Sequence, residues 1–159
     1  MHPAYAPALA RRGATYRVLK RYDDALANLS SALSYNSTNS WFLYQHALVC
    51  LLKGDRQTGD ASLASAVSLA RQSYTQNPDD LNEPLMLMLY LMASGNIADG
   101  RSLFEELITG VPLYALRTAA DVFDDYLVSF PANADAQAIR AELQAEIERR
   151  QSEGSPDQT

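Results

Sequence analysis

Three positions of this chain, Lys20, Gly54 and Gly95, each end one apolar-periodic segment and precede another, and their spacing constrains the fold more than any other feature. The apolar residues that follow keep a fixed offset. Leu29 and Ala32 follow Lys20, Leu63 and Ala66 follow Gly54, and Phe104 and Leu107 follow Gly95. The first shift is 34 residues and the second 41. Between Ser37 and Pro78 the interval is again 41, and between Pro78 and Pro112 it returns to 34, so the extra seven residues fall between Ala66 and Pro78. Seven residues are about two helical turns, which lengthens a helix without rotating its buried face.

The apolar period is helical from end to end, and no alternating pattern of useful length suggests a strand. Breakers at Asn36–Asn39, Gly54-Asp55, Asn77–Asp80, Gly95-Asn96, Gly110–Pro112 and Phe130-Pro131 divide the chain into eight helices. These are expected near 4–19, 22–35, 40–53, 56–76, 81–94, 97–109, 113–129 and 133–151. Links this short make successive helices antiparallel neighbours. The tail 152–159 has nothing to bury and is expected to be disordered. Asn133 or Asp135 is placed to cap the last helix at its start, and Arg149 and Arg150 suit the negative end of its dipole.

A helix–turn–helix unit of 34 residues with small residues at fixed offsets resembles the tetratricopeptide repeat. The first unit carries Gly13 at that family's small position, Tyr16 and Tyr22 at its aromatic positions, and Ala25, Leu29 and Ala32 on its second helix. The second has Ala47, Gly54 and Ala66, with Gly59 where an alanine is usual. The third keeps Gly95, Ile97, Gly100, Phe104 and Pro112, and departs from the pattern with Met88 at the small position. The resemblance covers residues 5–112. It implies an all-α, right-handed solenoid of helical hairpins, with repeats near 6–39, 40–80 and 81–114. Residues 113–151 would add a capping helical pair, completing one repeat domain over 1–151. In style the chain is similar to the repeat arrays at the C-terminal end of large bacterial signalling and NTPase proteins. The pattern begins almost at residue one, as a segment of a longer protein would.

In that family the first helix of each hairpin lines a concave groove. The resemblance therefore implies a partner-binding surface made by Arg11, Arg17, Trp41, Tyr44, Gln45, Leu48, Met86 and Leu89. Aromatic and Met-rich grooves suit amphipathic helices or apolar peptides. The family's carboxylate clamp for chaperone tails is not expected, because its positions hold Ala10, Ala14, Gln45 and Leu48.

Few residues suggest other chemistry. No phosphate-loop or dinucleotide motif is present. His46 and Cys50, four apart, share a helix face and offer two metal ligands or a nucleophile–base pair, but read better as a half-buried histidine beside a buried thiol. The pairs Asp23-Asp24, Asp79-Asp80, Glu105-Glu106 and Asp124-Asp125 fall at helix starts or on polar faces rather than in a dry pocket. The expectation is a non-enzymatic chain with no metal and no cofactor. One cysteine leaves no internal disulfide to form.

The net charge of −6 gives no support for nucleic-acid binding, and no apolar run is long enough to span a bilayer. We expect a cytoplasmic protein whose partner is another protein or peptide. The charge is divided unevenly: residues 1–80 carry +2 and residues 81–159 carry −8. Arg11, Arg12, Arg17, Lys20 and Arg21 crowd the first 21 positions. A basic first repeat with no helix stacked on its outer edge is the alternative contact, either with an acidic partner or with another copy of the chain. A small-ligand pocket in the groove is a third reading.

Overall fold

A computed structural model describes residues 5–77 and 80–153. Every regular element among them is helical. The helices are α1 (Ala6–Val18), α2 (Tyr22–Tyr35), α3 (Ser40–Leu52), α4 (Arg56–Gln76), α5 (Asn82–Ala93), α6 (Ile97–Leu107), α7 (Leu113–Ser129) and α8 (Ala134–Glu153). None of the described helices is long and apolar enough to cross a membrane. Ser152 and Glu153 lie in α8, where Glu153 pairs with Arg149, so the last helix runs two residues into the segment expected to be disordered. The remainder of that segment lies outside the described residues, as do Pro78 and Asp79.

The three hairpin turns expected from the spacing are built alike. Lys20, Gly54 and Gly95 all adopt left-handed backbone, with φ of 58°, 85° and 81°. Around each, the next residue's N–H closes back on the helix: Arg21 to the Tyr16 carbonyl, Asp55 to Cys50 and Asn96 to Leu91. The turn residues themselves donate to Arg17, Leu51 and Met92. This is the double closure that satisfies the last carbonyls of a helix. The open space around Gly54 and Gly95 shows that the glycines serve backbone conformation and not packing.

Twelve residues separate a second recurring pair, at 13/25, 47/59 and 88/100, where the two helices of a hairpin nearly touch. A Cβ on Gly13 would sit 3.2 Å from the Ala25 carbonyl oxygen and 2.7 Å from Leu29 Cγ. One on Gly59 would lie 3.3 Å from the Ala47 oxygen, and one on Gly100 3.4 Å from that of Met88. The glycine is on the first helix in one hairpin and on the second in the other two. Gly100 thus provides the clearance that Met88 takes away: its missing side chain leaves room for Met92 Sδ, which a Cβ would meet at 2.8 Å.

The helices group into two compact units, Met1–Gln76 and Asn77–Thr159. In the first unit α1 pairs with α2 and α3 with α4, while α2 packs on α3 and α1 lies beside α3. Its core includes Ala10, Ala25, Leu29, Ala32, Phe42 and Val49. Shifted by 34, α2 would end at residue 69, but α4 continues seven residues further, to Gln76. Its buried face runs through Gly59, Leu63, Ala66 and Ala70, and in the added turns Ser73 and Tyr74 are half-buried.

In the second unit α5 pairs with α6 and α7 with α8, α5 lies against α7, and α6 against α8. Here Arg150 has a role different from stabilising its own helix end. Its guanidinium donates to the carbonyls of Ile108, Thr109 and Val111, just past the end of α6, and its Nε pairs with Glu146. Asn133 caps α8 through the Ala136 N–H at 2.9 Å.

These contacts set two expectations, both measurable by denaturant unfolding. Gly13→Leu should destabilise the protein by about 1–3 kcal/mol through overpacking against Leu29. Lys20→Gly should stabilise it by about 1 kcal/mol by relieving left-handed strain. A neutral Gly13→Leu would mean that the α1–α2 approach is not tight.

Candidate functional site

The expected groove residues divide by burial. Tyr44, Leu48 and Leu89 are fully buried, and Arg17 and Gln45 are 1% and 2% exposed. Arg17, near the end of α1, donates from Nε to Gln45 Oε1 on α3 at 3.2 Å. The two polar side chains thus form part of the α1–α3 contact and present no surface to a partner. Trp41 is half-buried and packs on the core of the first unit. Arg11, at the surface, and the half-buried Met86 are the other two of the eight with area to offer.

The burial of Tyr44, Leu48 and Leu89 follows from their helices. In α3, Phe42, Tyr44, Gln45 and Ala47–Cys50 are buried; in α5, Pro84, Leu85 and Leu87–Met92 are. Helices apolar around their whole circumference are covered on all sides.

The exposed apolar surface lies elsewhere. Tyr5 is 60% exposed and Leu19 59%, at opposite ends of α1. Tyr5, Ala8, Leu9 and Arg12 line a predominantly apolar cleft of about 480 Å³ along the outer edge of the first hairpin. Leu9 forms its inner wall, since its other side packs on the core. Arg12 is steered by Asn28 of α2, whose Oδ1 accepts from its Nε at 2.6 Å. A second depression, near Ser37, Leu43, Ser65 and Ser68, is shallow and more polar. The sequence offered one signal of the α1 edge: the adjacent basic residues Arg11 and Arg12, both exposed.

The His46–Cys50 pair does come together, with Cys50 Sγ 3.7 Å from His46 Nδ1, and Ser62 Oγ lies 3.2 Å from the same nitrogen. Its electrostatics oppose catalysis. Burial, reinforced by Asp55, pushes the Cys50 thiol up, away from the thiolate needed for attack. Burial also lowers the His46 pKa, against the opposing pull of Asp55. No group of three metal-ligating side chains occurs among the described residues. Of the acidic pairs, Asp124 is engaged by Arg140 at 2.7 Å, Asp23 by Lys53 and Asp24 by Arg21. Glu105 and Glu106 are exposed, and Asp79 lies outside the described residues.

Compared with protein-family models, curated proteins and solved structures, the chain matches none of them.

Two pH effects follow. With its folded pKa below 6.5, His46 resists protonation, so its contribution to stability should fall as pH drops below 6.5. An NMR titration of His46 should accordingly have its midpoint below that value. Hydrogen bonds from Arg149 and Arg150 hold Glu146 down from 4.5 to about 2. Its stabilisation is complete above pH 4.5 and should be lost as pH falls toward 2. Glu146→Gln should flatten that limb of the acid-unfolding curve, and an unchanged limb would assign it to other carboxylates.

Proposed function

We propose that this chain is a non-catalytic protein-interaction module of the tetratricopeptide type, a cytoplasmic α-solenoid serving as a scaffold or sensor segment of a larger bacterial protein. Two features support the repeat assignment: left-handed turns at 20, 54 and 95, and close approaches at 13/25, 47/59 and 88/100, both recurring at intervals of 34 and 41. The raised thiol pKa of Cys50 argues against a nucleophile, in line with a binding role.

The observation that carries the binding reading is the apolar cleft at Tyr5, Ala8, Leu9 and Arg12. A partner docks on this α1 edge, with Arg11 and Arg12 contributing positive charge beside an aromatic anchor. Pre-formed helical surfaces lose little freedom on binding, so one well-placed aromatic can dominate affinity. Trp41 in the first unit and Met86 in the second each keep some exposed area and would serve a lesser part.

The test compares capture of a partner from the source cell by wild type, Tyr5→Glu and Met86→Lys, with folding of each checked by circular dichroism. Tyr5→Glu should weaken capture by about tenfold or more, the usual effect of removing an anchor, while Met86→Lys retains it. The reverse result would return the site to the groove.

A further inference from the structure

Two helices, one in each unit, carry outward stripes of matching pattern and opposite charge. On α1 and its C-terminal residue the stripe is Tyr5, Ala8, Arg12, Thr15 and Leu19, all exposed. On α7 it is Tyr114, Thr118, Asp121, Asp125 and Val128, with Tyr114 63% and Val128 62% exposed. Each spans fifteen residues, fourteen steps of 1.5 Å or about 21 Å, and stays within one arc of its helix. Each has a large apolar side chain at both ends and a charge midway: Arg12 is seven residues from Tyr5 and from Leu19, and Asp121 seven from Tyr114 and from Val128. Helix α1 exposes two arginines, Arg11 and Arg12, and has no acid, whereas α7 has three aspartates against Arg117. Of those aspartates, Asp124 is held by Arg140 on α8, whose charge also acts on Asp121; Asp121 and Asp125 give the stripe its negative sign, with Asp121 at its centre.

We propose that a second copy of this chain covers the α1 edge, laying its α7 stripe along Tyr5–Leu19 with Arg12 against Asp121. The proposal rests on the α1 docking edge described above and names its occupant. An antiparallel alignment opposes the helix dipoles favourably and sets Val128 over the cleft at Tyr5 and Leu9. Tyr114 then lies beside Leu19, and Thr15 faces Thr118. The apolar ends supply the area removed from water, and the central charges fix register and exclude like-charged pairings. Such a contact joins unlike faces, so it either closes into a symmetric assembly or extends a chain.

Sedimentation equilibrium of the whole chain tests this directly. The average mass of wild type should rise with concentration, up to about 0.5 mM for an interface as small as one helix pair. Added salt should weaken the association. Arg12→Glu and Asp121→Arg should each weaken it by about tenfold, and the double variant Arg12→Glu/Asp121→Arg should regain most of it. Both residues are exposed, so each variant should retain the wild-type helical signal; Arg12→Gln and Asp121→Asn replace any reversal that unfolds. A wild type that stays monomeric overturns the contact, as does a folded double variant that fails to recover. If wild type is monomeric while Tyr5→Glu still releases a captured protein, the α1 edge stands and only its assignment to a second copy fails. If Tyr5→Glu releases nothing as well, the docking edge fails with it.

Discussion

The close approach of paired helices is the constraint on which each hairpin depends. At 13/25, 47/59 and 88/100 a carbonyl oxygen of one helix lies within 3.2–3.4 Å of where a Cβ would stand on the other. Two ordinary side chains cannot share that space, so one partner of each pair is glycine. What the fold requires is clearance at the crossing, and the clearance can be supplied from either side. Met88 illustrates this. At a position where a small residue is expected, it is accommodated because Gly100 opposes it. The same logic fixes turn geometry: with the crossing set, the chain must reverse in three residues, and left-handed backbone at 20, 54 and 95 does so.

Burying helices this closely has a consequence for the binding surface. α3 and α5 are apolar on every face, and such helices end up enclosed. Tyr44, Leu48 and Leu89 therefore serve packing. Arg17 and Gln45 contribute a polar contact between α1 and α3, and truncating either would leave its partner buried with one fewer hydrogen bond, a costly state away from water. Interaction area is then left to helices with one polar and one apolar face. In the first unit the α1 edge presents such area, with Arg11 and Arg12 outward.

The second unit is held by a different device. Arg150 bridges α8 to the carbonyls that follow α6, while Glu146 holds both Arg149 and Arg150. A guanidinium with five donors in a fixed plane suits several carbonyls at once, as a lysine would not. This ties the end of the chain's last helix to a helix that began some fifty residues earlier, and it gives that tie its sensitivity to strong acid.

The sequence by itself determined the helices, their boundaries to within two or three residues, the three equivalent turns and the seven-residue lengthening of α4. These are local or periodic properties: breakers, caps and apolar spacing act within a few residues of where they are written. Asn133 was legible as a cap for this reason. Tertiary structure decided which apolar positions are enclosed. Periodicity marks the inward side of α1, whereas the uniformly apolar runs of α3 and α5 have no side to mark. It also decided the partner of Arg17 across 28 residues, and that of Arg150 about forty residues back along the chain. Long side chains choose among distant acceptors by reach and burial, and a linear pattern holds neither quantity.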